Sequence, residues 1–131
     1  MILLDTHIWL WFVHNDKKLN NSLRQILYNN HVNGLYVSMI SLWEVAKSVE
    51  KGKIILPLDL VNWFDKALVG SNINIMDLSR EIIIKSTNLE GNFHKDPADQ
   101  MITATSIFHD IPLATMDAKI LNYPFVNTLE Y

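Results

Sequence analysis

Met1-Ile2-Leu3-Leu4-Asp5-Thr6-His7-Ile8-Trp9-Leu10-Trp11-Phe12-Val13 starts as a short apolar run, stops on an acid, and resumes as a longer apolar run. Ile2 to Leu4 is apolar at every position and too short for a helix, the pattern of a strand buried on both faces of a parallel sheet. Ile8 to Val13 continues as a very apolar helix. A buried strand feeding directly into a helix is the opening of an α/β unit, so the rest of the chain is read for its recurrence.

The pattern recurs. Leu35 to Val37 reads as a strand, and Leu42 to Glu50 as a helix with Leu42, Val45, Ala46 and Val49 on one face, ended by Gly52 at C′. Ile73 to Met76 reads as a strand and Arg80 to Leu89 as a helix. Ala98 to Phe108, bearing Met101, Ile102, Thr105 and Phe108, precedes a strand at Leu113 to Thr115. Ser22 to Tyr28, capped by Asn20 or Asn21, and Leu58 to Leu68, carrying Leu60, Trp63, Phe64 and Leu68, add two more helices. Phe125 to Thr128 is a candidate last strand. No repeat or Pro/Gly-rich linker interrupts the series. The expectation is one α/β domain over residues 1–131 with a central, mainly parallel sheet. In such sheets ligands bind outside the carboxyl ends of the strands.

Composition narrows the chemistry. Among 131 residues 49% are hydrophobic and 19% charged, which suits a folded core and excludes a disordered chain. There is no cysteine, so a disulfide framework, a thiolate zinc site and a cysteine nucleophile are excluded. A reducing cytoplasm is the expected setting. The amino-terminal apolar stretch lacks a basic start and is broken by Asp5 and His7, against a signal peptide. No run of about 18 apolar residues predicts a membrane span. The net charge of −3 argues against a nucleic-acid partner unless several acids are gathered around cations that invert the local field. Lys47, Lys51 and Lys53 cluster in sequence, and His94 and Lys95 flank the densest acidic motif. These five are candidates for a nucleic-acid backbone, with a solvated helix face as the plain alternative for the lysines.

The acids carry the argument. Asp5 follows the first strand directly, and Asp117 follows Leu113-Ala114-Thr115 after one intervening residue. Both therefore sit at the carboxyl edge of the sheet. Glu44 lies in Ser41-Leu42-Trp43-Glu44, which also reads as a capping box. Asp96-Pro97-Ala98-Asp99 reads as N-cap, N1 and N3 of a helix, and acids are favoured there by the helix dipole. Each acid alone has a sufficient structural explanation. Together they place a carboxylate at four separate strand-to-helix junctions, where Ser, Thr or Asn would cap as well. Such hard oxygen donors suit Mg²⁺ or Mn²⁺, which bind substrate phosphates and assist in-line displacement at phosphorus. Uncompensated, the same acids would repel.

Other chemistries fit worse. A second Asp two residues after Asp5, as a haloacid-dehalogenase-type phosphatase needs, is replaced by His7. There is no phosphate-binding or dinucleotide glycine motif. His7, His14, His31, His94 and His109 show no zinc-type spacing, and only His7 and His94, which neighbour Asp5 and Asp96, stand out from the others. Trp9, Trp11, Trp43 and Trp63 read first as core or interface residues, with base stacking as the alternative.

Leu4-Asp5-Thr6-His7-Ile8-Trp9-Leu10-Trp11 resembles the start of PIN-domain proteins, specifically VapC-type toxins of toxin–antitoxin systems. Ser38-Met39-Ile40-Ser41-Leu42-Trp43-Glu44-Val45-Ala46 with Gly52-Lys53-Ile54, then His94-Lys95-Asp96-Pro97-Ala98-Asp99-Gln100-Met101-Ile102 with Ala104, then Leu113-Ala114-Thr115-Met116-Asp117 with Tyr123-Pro124, resemble three further blocks. The likeness runs through essentially the whole chain, in order. It implies a PIN-like three-layer α/β/α sandwich and an Mg²⁺- or Mn²⁺-dependent endoribonuclease. Asp5, Glu44, Asp99 and Asp117 would be its catalytic acids. Asp5, Asp96, Asp99 and Asp117 would hold metal, and Thr6 and Thr115 would support them. It further implies a homodimer and a cognate antitoxin. Ala98 and Gln100 replace an aromatic and a basic residue frequent in that subgroup, which bears on RNA contacts and leaves the acids intact.

The expected reaction is attack of water on a phosphodiester of single-stranded or looped RNA, tRNA or another structured RNA included, leaving a 3′-hydroxyl and a 5′-phosphate. Glu44 would orient a second ion or the water. The competing expectations are a catalytically silent PIN-like binding module, a DNA nuclease using the same carboxylates, and a phosphatase acting on small esters.

Overall fold

The computed structural model describes residues 1–131 in full. Its sheet has four strands, β1 (Ile2–Leu4), β2 (Leu35–Ser38), β3 (Ile73–Met76) and β4 (Leu113–Ala114), in the order β3-β2-β1-β4. Every pairing is parallel, with Leu3 opposite both Tyr36 and Leu113. All four carboxyl ends therefore lie along one edge. The helices are α1 (Thr6–Val13), α2 (Asn21–Asn29), α3 (Met39–Glu50), α4 (Leu60–Ala67), α5 (Arg80–Ser86), α6 (Pro97–His109) and α7 (Ala118–Leu121).

The alternation of strand side chains builds the three layers. Ile2, Leu4, Leu35, Val37, Ile73 and Ala114 face one core, which Ile8, Trp9 and Phe12 of α1, Leu23 and Leu27 of α2 and Trp63 and Ala67 of α4 complete. Leu3, Met76 and Leu113 face the other, with Ile102 of α6 and Ile120 of α7. β1 is buried at all three positions because helices cover both faces.

The order of the strands fixes where a crevice opens. From β1 the chain winds outward through β2 to β3, then returns to the far side of β1 as β4. The winding direction reverses between β1 and β4, the position where doubly wound sheets open a binding crevice. Asp5 and Asp117 follow those two strands.

Several local expectations are corrected. α3 begins at Met39, and its N-cap is Ser38, whose Oγ accepts from Ile40 N at 3.2 Å. Ser41 is therefore inside the first turn, so the Ser41/Glu44 capping box does not form. α5 stops at Ser86 and does not reach Leu89, since the Ser86 and Thr87 hydroxyls donate to the Ile83 and Ile84 carbonyls and compete with the helix. Phe125 to Thr128 does not form a strand. Only Thr128 bridges Leu113, because a β4 of two residues offers little edge to pair with. Asn20, not Asn21, caps α2. The short α7, capped by Asp117, and a 3₁₀ turn at His31–Asn33 were not expected.

Candidate active site

The acids are positioned by the turns that end the strands. Asp5 is the N-cap of α1, and its Oδ1 accepts from Thr6 N at 2.8 Å. Its Oδ2 accepts from the Thr115 hydroxyl at 2.8 Å, a bond that ties β1 to β4. The same Thr115 oxygen accepts from Asp117 N at 3.1 Å. One buried threonine thus orients two acids that are 112 residues apart in sequence. Asp117 in turn caps α7 through Oδ1, which accepts from Lys119 N at 2.9 Å.

Glu44 is held by Thr6. Thr6 Oγ1 lies 2.6 Å from Glu44 Oε1 and 2.8 Å from Ser41 Oγ. A hydroxyl has one hydrogen, and an ionised carboxylate only accepts, so Thr6 donates to Glu44 and the Ser41 hydroxyl donates to Thr6. Ser41 thereby gains a role different from the cap read in the sequence. It supports Glu44 from below, at a position that is fully buried.

Asp96 caps α6 and accepts from Asp99 N at 2.9 Å. Capping bends the preceding chain back along the first turn, and this brings His94 Nε2 to 2.6 Å from Asp99 Oδ2. Gln100 Nε2 donates to the His94 carbonyl at 3.1 Å, and Phe93 stacks on the His94 ring at 4.3 Å. One ligand atom each from His94, Asp99 and Asp117 lies within 4.8 Å of the others. His94 was read in the sequence as an RNA contact. Its spacing from Asp99, across an N-cap, was the signal that could have placed it beside the acid.

The electrostatics show crowding. Burial is the main influence on Asp5, which is only 4% exposed, and it raises the carboxyl above its ordinary 3.8 despite the Thr115 hydrogen bond; nearby Asp99 adds to the rise. Burial likewise raises Glu44 above 4.5, with Asp5, Asp99 and Asp96 all adding repulsion. Asp99 is raised by burial first and then by Asp96 and Asp117, while its His94 hydrogen bond pulls the other way. All five acids thus converge on one region. The lysines do not. No lysine lines either cavity that borders the acids, Lys47 is engaged with Glu50 at 2.8 Å, and Lys51 sits about 10 Å beyond Glu44 along the α3 axis. Lys51, Lys53 and Lys95 are exposed.

The donor set fits a hard divalent cation. Asp5 spends both oxygens on orienting bonds, whereas Glu44, Asp96, Asp99 and Asp117 spend one each, leaving Glu44 Oε2, Asp96 Oδ2, Asp99 Oδ1 and Asp117 Oδ2 without a protein partner. A pH dependence follows from the raised acids. Between the ordinary and raised values the folded state binds more protons than the unfolded state, so stability falls as pH rises through that window. Melting of the metal-free protein is therefore expected at lower temperature at pH 7 than near pH 4. Asp99→Asn is expected to raise the metal-free melting temperature at pH 7 and to reduce the gain on adding Mn²⁺. A wild-type melting temperature that climbs steadily with pH in EDTA would contradict this.

Thr115→Val gives a second test. It strips a donor from Asp5 and an acceptor from Asp117 N while keeping the side-chain volume. A stability loss of about 1–3 kcal/mol is expected. Because the orientation of Asp5 and Asp117 is lost, the gain in melting temperature on adding Mn²⁺ should shrink as well.

A small parallel α/β sandwich with this strand order is a fold shared by a known group of proteins. The PIN domain family model matches residues 2–126, and the chain belongs to that family. Ribonuclease VapC22 of Mycobacterium tuberculosis is 26% identical over 122 residues, covering 93% of this chain and 91% of that protein. Among solved structures, VapBC from Salmonella typhimurium bound to DNA matches with a TM-score of 0.74 at 17% identity, covering 98% of this chain and 96% of that one. VapBC2 from Rickettsia felis, bound to a DNA fragment from its promoter, matches with a TM-score of 0.71 at 21% identity, covering 98% of each chain. The three-layer α/β/α fold expected from the sequence is thus the observed one.

Proposed function

We infer that the chain is an Mg²⁺- or Mn²⁺-dependent endoribonuclease, the toxin of a toxin–antitoxin pair. The observation that carries this is the convergence of Asp99 and Asp117 with His94 within 4.8 Å, beside Asp5 and Glu44 at the carboxyl edge. Family membership and the likeness to a ribonuclease support it.

Asp99 and Asp117, with Asp5 behind them and Asp96 at the rim, would hold the cation. When bound, it supplies positive charge at the scissile phosphate and relieves the repulsion among the acids. The chain's own residues then have distinct tasks. Thr115 keeps Asp5 and Asp117 in register across β1 and β4. His94 holds one oxygen of Asp99 so that the other is presented to the cleft. Thr6 holds Glu44, whose remaining oxygen accepts a hydrogen from the attacking water and aims it at phosphorus. The raised proton affinity of Glu44 suits that task. Attack in line with the 3′ oxygen breaks the P–O3′ bond, the departing oxygen takes a proton from solvent water, and the products are a 3′-hydroxyl and a 5′-phosphate.

Lys51, Lys53 and Lys95 would engage RNA backbone outside the cleft, which makes binding weaker as salt rises. A homodimer belongs to the same proposal, and Ile83 and Ile84, exposed on α5, are side chains it would cover. The antitoxin is proposed from the toxin–antitoxin complexes among the structural neighbours. No helix is long and apolar enough to cross a membrane. A cytoplasmic location and a single domain over residues 1–131 complete the proposal.

The test is cleavage of single-stranded and tRNA substrates by purified protein in Mn²⁺, Mg²⁺ or EDTA, beside DNA of the same sequence. RNA cleavage in the metals alone is expected. Equal cleavage in EDTA, or cleavage of DNA only, would refute the reading.

A further inference from the structure

The four tryptophans divide sharply in exposure. Trp9 and Trp63 are buried at 0% and 2%, in contact with each other in the core, and Trp11 is half-buried on α1. Trp43 is 56% exposed, on the second turn of α3 and next in sequence to Glu44. It leaves the largest aromatic surface of the chain in water, beside the acid cluster.

Trp43 also forms a wall of a cavity of about 420 Å³, with Ile40, Pro97, Ala98 and Met101 as its other apolar sides. Glu44 and Asp96 line the same cavity, and both belong to the acid cluster. The cavity therefore borders the site described above. Its volume falls within the range of small-ligand sites, roughly 300–1,000 Å³.

We propose that this cavity is a nucleobase subsite, in which a base adjoining the cleaved phosphate stacks on Trp43 and donates N–H groups to Asp96, whose carboxylate keeps lone pairs free beside the Asp99 cap, while Glu44 is left to the attacking water. The proposal rests on the reading of the acids as a phosphodiester-cleaving site. Charge complementarity selects the occupant. An apolar helix face seated here would bury two carboxylates without partners, which is costly. A base offers a flat face for the indole and an edge of donors for Asp96. Carboxylates only accept, so the edge that fits best is guanine, whose N1–H and N2–H₂ lie side by side. Adenine and cytosine each bring one exocyclic amine. Uracil, with N3–H between two carbonyls, fits worst. A base can enter only when unstacked from its neighbours, so the substrate strand is single-stranded at the cleaved step.

The experiment uses the full chain in Mn²⁺ with single-stranded RNA oligonucleotides that differ only in the nucleotide beside the cleaved bond. The wild type is expected to favour guanine over uracil there. Trp43→Ala is expected to raise KM about tenfold and flatten that preference, and Trp43→Phe to restore most of both. In an Asp99→Asn background, the same oligonucleotide should quench tryptophan fluorescence, and Trp43→Phe should remove the quench. Circular dichroism and light scattering on Trp43→Ala check fold and assembly. Identical KM and base preference in wild type and Trp43→Ala would overturn the subsite. So would a change of oligomeric state with base preference intact, which would mark the cavity as a contact between copies. Absence of RNA cleavage by the wild type would instead defeat the reading of the acids on which the subsite rests.

Discussion

Asp99→Asn is expected to lower RNA cleavage by about a thousandfold or more, roughly 4 kcal/mol of transition-state stabilisation, with the fold retained. The size follows from the position of Asp99. It adjoins Asp117 and His94, it is coupled to Asp5 and Glu44, and it presents one oxygen that no protein group uses. The amide is close in shape, still reaches the His94 ring, and leaves the Asp96 cap on Asp99 N in place. What it removes is negative charge. Single-turnover rates in Mn²⁺, read beside circular dichroism, separate the two effects. Asp5→Asn should behave alike, since its carboxylate is fixed by Thr6 and Thr115. Loss of activity of less than about tenfold at both positions would remove the acids from the mechanism.

Trp9→Ala is expected to cost the most stability of any single change. The Trp9 ring is fully buried, stacks on Phe64 at 6.4 Å and meets Trp63 at 5.1 Å. Its Nε1 donates to the Ala67 carbonyl at 3.0 Å, pinning α1 to the end of α4. Emptying that volume costs about 3–5 kcal/mol. Leaving the carbonyl without its donor costs roughly 1–3 kcal/mol more. Typical domain stability is about 5–15 kcal/mol, so the variant should sit at or near unfolding at 37 °C. Trp9→Phe keeps most of the packing and should show the smaller part of the loss. The midpoint of urea unfolding, at unchanged slope, measures both. A shift equal for Ala and Phe would assign the stability to the hydrogen bond alone.

The sheet was legible because its strands are buried on both faces and therefore read as unbroken apolar runs. Ile2-Leu3-Leu4 and Leu35-Tyr36-Val37 show this directly. Parallel pairing then forces every following residue to the same edge, so Asp5 and Asp117 were legible as a pair before any contact was known. The start of α3 was less so. Ser38 and Ser41 are equally good caps by residue type, and the choice is made by burial: Ser41 is drawn inward to Thr6, a contact across 35 residues. The His94–Asp99 pairing was hidden for a similar reason, because it depends on how the chain folds back ahead of the Asp96 cap. The basic cluster lies apart from the acids. Lys47, Lys51 and Lys53 are close in sequence, yet a helix carries Lys51 away from the acids and turns Lys47 toward Glu50. The exposure of Trp43 did have a sequence signal: it adjoins Glu44 and falls off the face of Leu42, Val45, Ala46 and Val49, whereas Trp9 and Trp11 lie in an unbroken apolar run.

Titration of Mn²⁺ into the metal-free protein at pH 7, followed by calorimetry, probes the shared carboxylate site without depending on any RNA. Saturable binding is expected for the wild type, and its loss is expected when Asp99 and Asp117 are both replaced by Asn. Equal binding by the two proteins, or none by the wild type, would contradict a cation held where β1 and β4 part.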